Sequence, residues 1–380
     1  MSFDVGNSAE FCLLPKDMQK LDDLFHKLKI KKEKFMGYQV NHAFDYSELY
    51  RFLGFSINNV GDPFMESNYG VNTKEFEREV LDFFADLMHI RKEDFWGYVT
   101  NGGTAGNMFS LYLARELYPD GMVYFSKDTH YSIPKSVRVC NMEYRIIDSQ
   151  PNGEIDYLDL EKQLQENRNR PAIIVANIGT TMTGAVDKVS KIHQILESNS
   201  LKKFHIHCDA AMGGMLLPFL EDAPQFDFRL PISSMAISGH KMIGAPVPCG
   251  IVLTKKELVQ RIEKPIEYIV AVDNTLSGSR NGLSPLFLWY AVKKLGNKGF
   301  KALAKRSVRN ANYALSKFKE IGWDAWINPN ANVVVLKRPS EELVKKWQLA
   351  VYGEIAHIYA MGHVSEKMID EFVSDLQKTA

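Results

Sequence analysis

The chain has 380 residues, enough for one large core and a subsidiary domain, and 46 Lys+Arg balance 46 Asp+Glu. With no basic stripe it is expected to bind no nucleic acid, and no acidic tract suggests disorder. Four cysteines at 12, 140, 208 and 249 lack metal-ligand spacing, and no apolar run suits a signal core or a bilayer, so a reduced, soluble, cytoplasmic protein without a metal is expected.

Residues 1–15 read as a tail or arm. Met18, Leu21, Phe25 and Leu28 then recur at helical spacing, predicting a helix from Pro15 to about Lys29. Gly61-Asp62-Pro63 is a turn. Asn72 reads as a helix cap with Glu75 completing a capping box, ahead of an apolar face of Phe76, Val80, Phe83, Phe84 and Leu87. Trp96–Thr100 is strand-like and enters Asn101-Gly102-Gly103-Thr104, with a further apolar helix behind it. Strand and helix patterns then alternate. Strands are predicted at 122–125, 144–147, 172–176, 204–208, 235–238 and 251–254, with helices at 133–140, after Asp156 and at 192–196. Such alternation predicts an α/β fold with a mostly parallel sheet covered by helices. Near Gly296–Gly299 the pattern changes to a long helix (303–321), three short strands and a final helix (365–376). This predicts three regions: an N-terminal arm and helical segment (1–60), a large domain (61–298) and a small C-terminal α+β domain (299–380).

Chemistry-bearing residues gather at predicted strand ends. Ser234–Ile237 delivers Ser238-Gly239-His240-Lys241, placing an amine at the carboxyl edge of the sheet, where open α/β folds bind ligands. A lysine there can form an imine with a carbonyl. Gly102-Gly103-Thr104, between strand and helix, offers free N–H groups and a hydroxyl to a phosphate; a plain strand-to-helix turn is the competing reading. Asp209 ends the strand His205–Cys208 and must find a cation or donors. A protonated pyridine nitrogen would serve, with the small Ala211 leaving room for a flat ring; a turn or helix-capping aspartate is the alternative. His130 follows Val123–Phe125 and can stack on a ring or carry a proton, unless it is an ordinary loop histidine. Thr180 and Thr181 bring hydroxyls to the same edge or cap the next element. Together the set fits pyridoxal 5′-phosphate, an electron sink that the protein holds and tunes.

At Trp96–Asn107, Ser126–Ser132, Gly153–Asp156, Asn177–Thr181, His207–Ala211, Ser238–Gly244 and Gly278–Gly282 the chain resembles the pyridoxal-phosphate-dependent amino-acid decarboxylases of group II. Within them it is most similar to bacterial histidine decarboxylases and plant serine decarboxylases. The resemblance implies the aspartate-aminotransferase-like fold (PLP fold type I) and a homodimer or homotetramer acting on a small amino acid. It implies that Lys241 forms the imine, Asp209 keeps the ring nitrogen protonated, and His130 stacks on the ring and helps protonate the product. Gly103, Thr104, Ser238 and His240 would bind phosphate, Ala211 would lie beneath the ring, and Thr180 would join the cofactor set. Ser277 and Ser279 would reach the neighbouring subunit's phosphate.

The implied reaction converts an L-amino acid to its amine and CO2, with L-histidine the leading substrate, L-serine second and an aromatic amino acid third. Aminotransferase or amine oxidase chemistry, or a non-catalytic relative, are the other classes. Ala105, Leu283 and Ala331 replace polar residues usual in relatives, which predicts a more apolar or reshaped pocket. Gly61–Val71 and Trp347–His357 resemble the serine enzymes more.

Overall fold

Seven strands form the main sheet of the computed structural model, which describes residues 13–261, 265–266 and 271–378. They are β1 (Phe95–Thr100), β2 (Met122–Ser126), β3 (Glu143–Ile147), β4 (Ala172–Asn177), β5 (Phe204–Asp209), β6 (Ser234–Ser238) and β7 (Gly250–Lys255), in spatial order β1-β7-β6-β5-β4-β2-β3. Pairings β2–β3, β2–β4, β4–β5 and β5–β6 are parallel, whereas β7 runs antiparallel to both its neighbours. One reversed strand in a sheet otherwise of one direction puts Ser126, Asn177, Asp209 and Ser238 at the same edge. β1, β2, β4 and β6 are buried along their whole length, as expected where helices cover both faces.

The helices are α1 (Pro15–Lys32), α2 (Lys74–Leu87), α3 (Gly103–Leu117), α4 (Ser132–Val139), α5 (Tyr157–Glu166), α6 (Val189–Ser198), α7 (Lys256–Gln260), α8 (Leu283–Glu320), α9 (Glu341–Trp347) and α10 (Glu366–Gln377). Asp156 caps α5 by accepting from the N–H groups of Leu158 and Asp159, as the sequence predicts. The start of α2 corrects the expected capping box. Asn72 accepts from the Lys74 N–H in a local turn (3.1 Å), Thr73 is the cap residue, and Glu75 is exposed. The Thr73 hydroxyl instead donates to the Gly282 carbonyl (2.7 Å), so a tertiary contact anchors this helix. Val80, Leu81 and Phe84 are fully buried on its inner face, each contributing roughly 1.5–3 kcal/mol.

Beyond a two-stranded ribbon, β8 (Pro265–Ile266) with β9 (Ala271–Val272), an antiparallel sheet of order β10-β11-β13-β12 follows, made of Ala325–Trp326, Val333–Lys337, Ala350–Tyr352 and Ile355–Tyr359 in chain order. Phe318, Trp347, Ile358 and Phe372 build its core. The sequence misses α9 and β12, both short, and predicts only the 303–321 part of α8, which runs from Leu283 to Glu320 across a kink at Gly296 (φ 53°, ψ −173°). The expected boundary at 298 therefore lies two residues past this kink, within the described helix. From β13, the Tyr359 hydroxyl donates to the Thr181 carbonyl (2.7 Å) and accepts from Gln39 (2.8 Å), tying the small sheet to the loop after β4. No helix among the described residues is long and apolar enough to cross a membrane. Cys208 and Cys249 are buried free thiols, and Cys12 lies outside the described residues.

Candidate active site

The carboxyl edge of the main sheet opens into a cleft of about 170 Å³ lined by Gly103, Thr104, His130, Thr180, Asp209, Ala211, Ser238, His240 and Lys241, with Asn107, Tyr131, Asn177, Gly179 and Thr181. Nine of the residues singled out from the sequence, and Thr181 with them, thus meet around one space.

One end of the cleft is built for an anion. The chain leaves β1, turns at Gly102 (φ 119°) and enters α3 at Gly103. That φ lies where side chains are strained, so glycine permits the turn. The first N–H groups of a helix have no carbonyls of their own, and those of Gly103 and Thr104 begin α3 at the cleft. A Cβ on Gly103 would lie 2.8 Å from Ser238 Oγ and 3.3 Å from the Ala211 Cβ, so only glycine leaves this cradle open. His240 is fixed nearby by its Nδ1, which lies 2.9 Å from the Cys249 carbonyl and 3.3 Å from the Cys249 N–H.

The floor holds the acid. Asp209 is 6% exposed; its Oδ2 accepts from Asn107 Nδ2 (2.7 Å) and its Oδ1 from the Ala211 N–H (3.2 Å). Lys241 sits half-buried in the turn after β6. Burial pushes its amine down to about 8, and the nearby Asp209 carboxylate opposes that shift. His130 is lowered by burial, against the attraction of Asp209 and with the repulsion of Lys241. Its Nδ1 accepts from the Ser132 N–H (3.3 Å) and lies 2.8 Å from the Ser132 hydroxyl, so a neutral ring carries its proton on Nε2.

Thr180 lines the cleft, but its hydroxyl oxygen accepts from the Ala185 N–H (3.0 Å) and pairs with Thr183 (2.8 Å). The second reading of its hydroxyl, as a local cap, describes that geometry. Ser277 and Ser279 are exposed and outside the cleft. Ala105, Leu283 and Ala331 also stay out of its lining. Ala331 is buried instead beside Gly184, in a side cavity shared with Tyr359 and Met212. Asn107, Tyr131, Asn177 and Gly179 were not picked out as site residues. Two had a readable signal: Asn107 falls one helical turn after Gly103, and Asn177 directly follows a predicted strand at the site edge.

The donors therefore suit an elongated group with a phosphate at one end and, at the other, a protonated ring nitrogen over Asp209, with a deprotonatable amine within reach.

Residues 32–327 match the pyridoxal-dependent decarboxylase conserved domain. The histidine decarboxylase of Morganella morganii is 46% identical over 94% of this chain and 97% of its own length. Serine decarboxylase 1 of Oryza sativa subsp. japonica is 44% identical over 90% of this chain and 71% of its own. The L-methionine decarboxylase of Streptomyces sp. 590 superposes with a TM-score of 0.86 at 28% identity, covering 99% of this chain and 98% of that one. With the domain match spanning most of its length and the Morganella relative aligned almost end to end, the chain belongs to the pyridoxal-dependent decarboxylases and is an amino-acid decarboxylase using pyridoxal phosphate.

Proposed function

We propose that this enzyme converts L-histidine to histamine and CO2. The observation that carries the reading is the near end-to-end match to histidine decarboxylases, at 46% identity and 97% of the Morganella protein's length. L-Serine, giving ethanolamine, is the second reading, favoured by the stretch Gly61–Val71 and by the 44% identity to the rice enzyme. The test is amine release measured over the twenty common amino acids. Histamine as the main product supports the first reading, ethanolamine the second, and a keto acid or peroxide without CO2 would overturn both.

Bound pyridoxal phosphate supplies a sink for the electron pair left when CO2 departs. The protein's part is to hold, orient and manage protons. The Gly103 and Thr104 N–H groups, the Ser238 hydroxyl and His240 hold the phosphate. Asp209 holds a proton on the ring nitrogen. Lys241, its amine lowered to about 8, has an appreciable unprotonated fraction at neutral pH, the form able to attack a carbonyl. His130 and Ala211, both lining the cleft, would hold the cofactor ring, and His130 keeps a proton on Nε2 that it could deliver to the product.

The same reading makes the enzyme a homodimer or a larger assembly. In support, no residue of α1 is buried, and Leu21, Leu24, Phe25 and Leu28 are about half exposed or more. Such a row of apolar side chains suits a second copy of the chain. Sedimentation at micromolar concentration tests this: a dimer is expected, and a monomer would refute it. The division at residues 60 and 298 belongs to this reading as well, supported by the separate core around Trp347 and Phe372.

A further inference from the structure

Behind the cleft floor, buried side chains form one directed chain of hydrogen bonds. Asn107 Nδ2 donates to Asp209 Oδ2 (2.7 Å) and to Ser132 Oγ (3.1 Å). These two bonds use both amide hydrogens, so the Asn107 Oδ1 accepts from His207 Nε2 (2.9 Å). His207 therefore carries its proton on Nε2, and its Nδ1 accepts from the Ser234 hydroxyl (3.0 Å). That commits the Ser234 hydrogen, so its oxygen accepts from His205 Nε2 (2.9 Å). From His205 to Asn107 every bond donates the same way, and Asn107 then donates to Asp209 and to Ser132. Burial drives His205 down to about 3 and His207 down to about 4, so each holds one proton at neutral pH and the direction is unique.

The arrangement follows from strand geometry. His205, His207 and Asp209 alternate along β5 and share one face. Ser234 is paired with His207 across the β5–β6 ladder, and Asn107 descends from α3 onto that face.

We propose that His207, backed by Ser234 and His205, is a positioning residue that locks the flip of the Asn107 amide. With the amide reversed, the Asn107 oxygen would face the Asp209 carboxylate, and His207 would face an N–H group. Held as it is, Asn107 aims one hydrogen at the acid and the other at Ser132. Ser132 then directs its own hydroxyl hydrogen at His130 Nδ1 (2.8 Å). One amide thus orients the acid under the ring nitrogen and sets the tautomer of the ring-face imidazole. The inference rests on Asp209 and His130 meeting the cofactor as proposed above.

The test compares His207→Gln, which keeps an N–H donor, with His207→Leu, which does not, and adds Ser234→Ala. Three quantities are measured: the dissociation constant for pyridoxal phosphate, the visible circular dichroism of the bound cofactor, and the melting temperature of the cofactor-free protein. His207→Leu is expected to weaken cofactor binding about tenfold and to alter the dichroic band, as the loss of one buried hydrogen bond implies. His207→Gln should stay within about threefold of native with a native band, and Ser234→Ala should fall between the two. A native dissociation constant and band in His207→Leu would overturn the proposal. So would equal impairment of the Gln and Leu variants with equally lowered melting, which marks a packing role. If His207→Leu does not fold, Ser234→Ala decides: native binding and a native band refute the relay, and weakened binding with an altered band supports it. Failure of the native protein to take up the cofactor is a different result, one that refutes the site assignment itself.

Discussion

Two buried acids in this molecule have opposite fates. Glu77, fully buried, accepts from the Val99 N–H (2.8 Å), from Asn59 (2.7 Å) and from the Arg280 guanidinium, which also donates to the Gly61 carbonyl and lies over the Tyr98 ring. Its charge is matched within the fold, and its surroundings are closed. Asp209 receives two neutral donors, Asn107 and the Ala211 N–H, and faces a cleft that also holds Lys241 and His130. An acid whose partners are complete serves the scaffold, whereas an acid left facing an open cleft can meet a ligand.

That contrast can be broken by substitution. The largest effect on chemistry is expected at Lys241. Lys241→Ala should lower turnover by about 10³-fold or more, and borohydride should no longer fix the cofactor to the chain. Asp209→Asn should cut kcat roughly 10²–10³-fold while the urea midpoint stays close to native, because its role is electrostatic and local. Glu77→Ala should do the reverse, since it strands Arg280 in the core. A loss of about 3–5 kcal/mol in unfolding free energy is expected, with near-native activity in the fraction that stays folded. Equal stability losses at the two acids would erase the distinction.

The pH dependence sharpens it. Burial holds the Lys241 amine down to about 8. Between about pH 8 and about pH 10.4 the unfolded chain keeps a proton there that the folded, cofactor-free protein has lost. Stability from this group therefore rises with pH across that window, by up to about 1.4 kcal/mol per pH unit, and its penalty is fully present below pH 8. Subtracting Lys241→Met unfolding data from native data should isolate that slope; a flat difference would contradict a buried amine. The smallest effect is expected from Ser132→Ala, which removes one link between Asn107 and His130. About a 3- to 10-fold loss in kcat with unchanged KM is predicted, from roughly 1 kcal/mol of hydrogen bonding.

Much of this site was legible because strand ends are legible. Apolar runs such as Ala172–Ala176 and Met235–Ser238 announce buried strands, and parallel strands deliver their last residues to a common edge. Asp209 and Lys241 were readable for that reason, as was the glycine pair before α3. Asn107 shows only its place one helical turn after Gly103, and nothing in the chain says that its amide meets an acid. It matters only because the strand it crosses carries His207 and Asp209 on the same face. Ala105, Leu283 and Ala331 were picked out by comparison with relatives, and the chain alone could not say that none of them lines this cleft.

Local order, then, was written in the chain: the period of its apolar residues, the glycines at its turns, and the polar residue closing each strand. Which amide meets which acid, which way each proton points and which buried charge is left facing the cleft were decided by packing. Hydrogen bonds reach only about 3 Å, so such partners are chosen by how α3, β5 and β6 come to lie against one another.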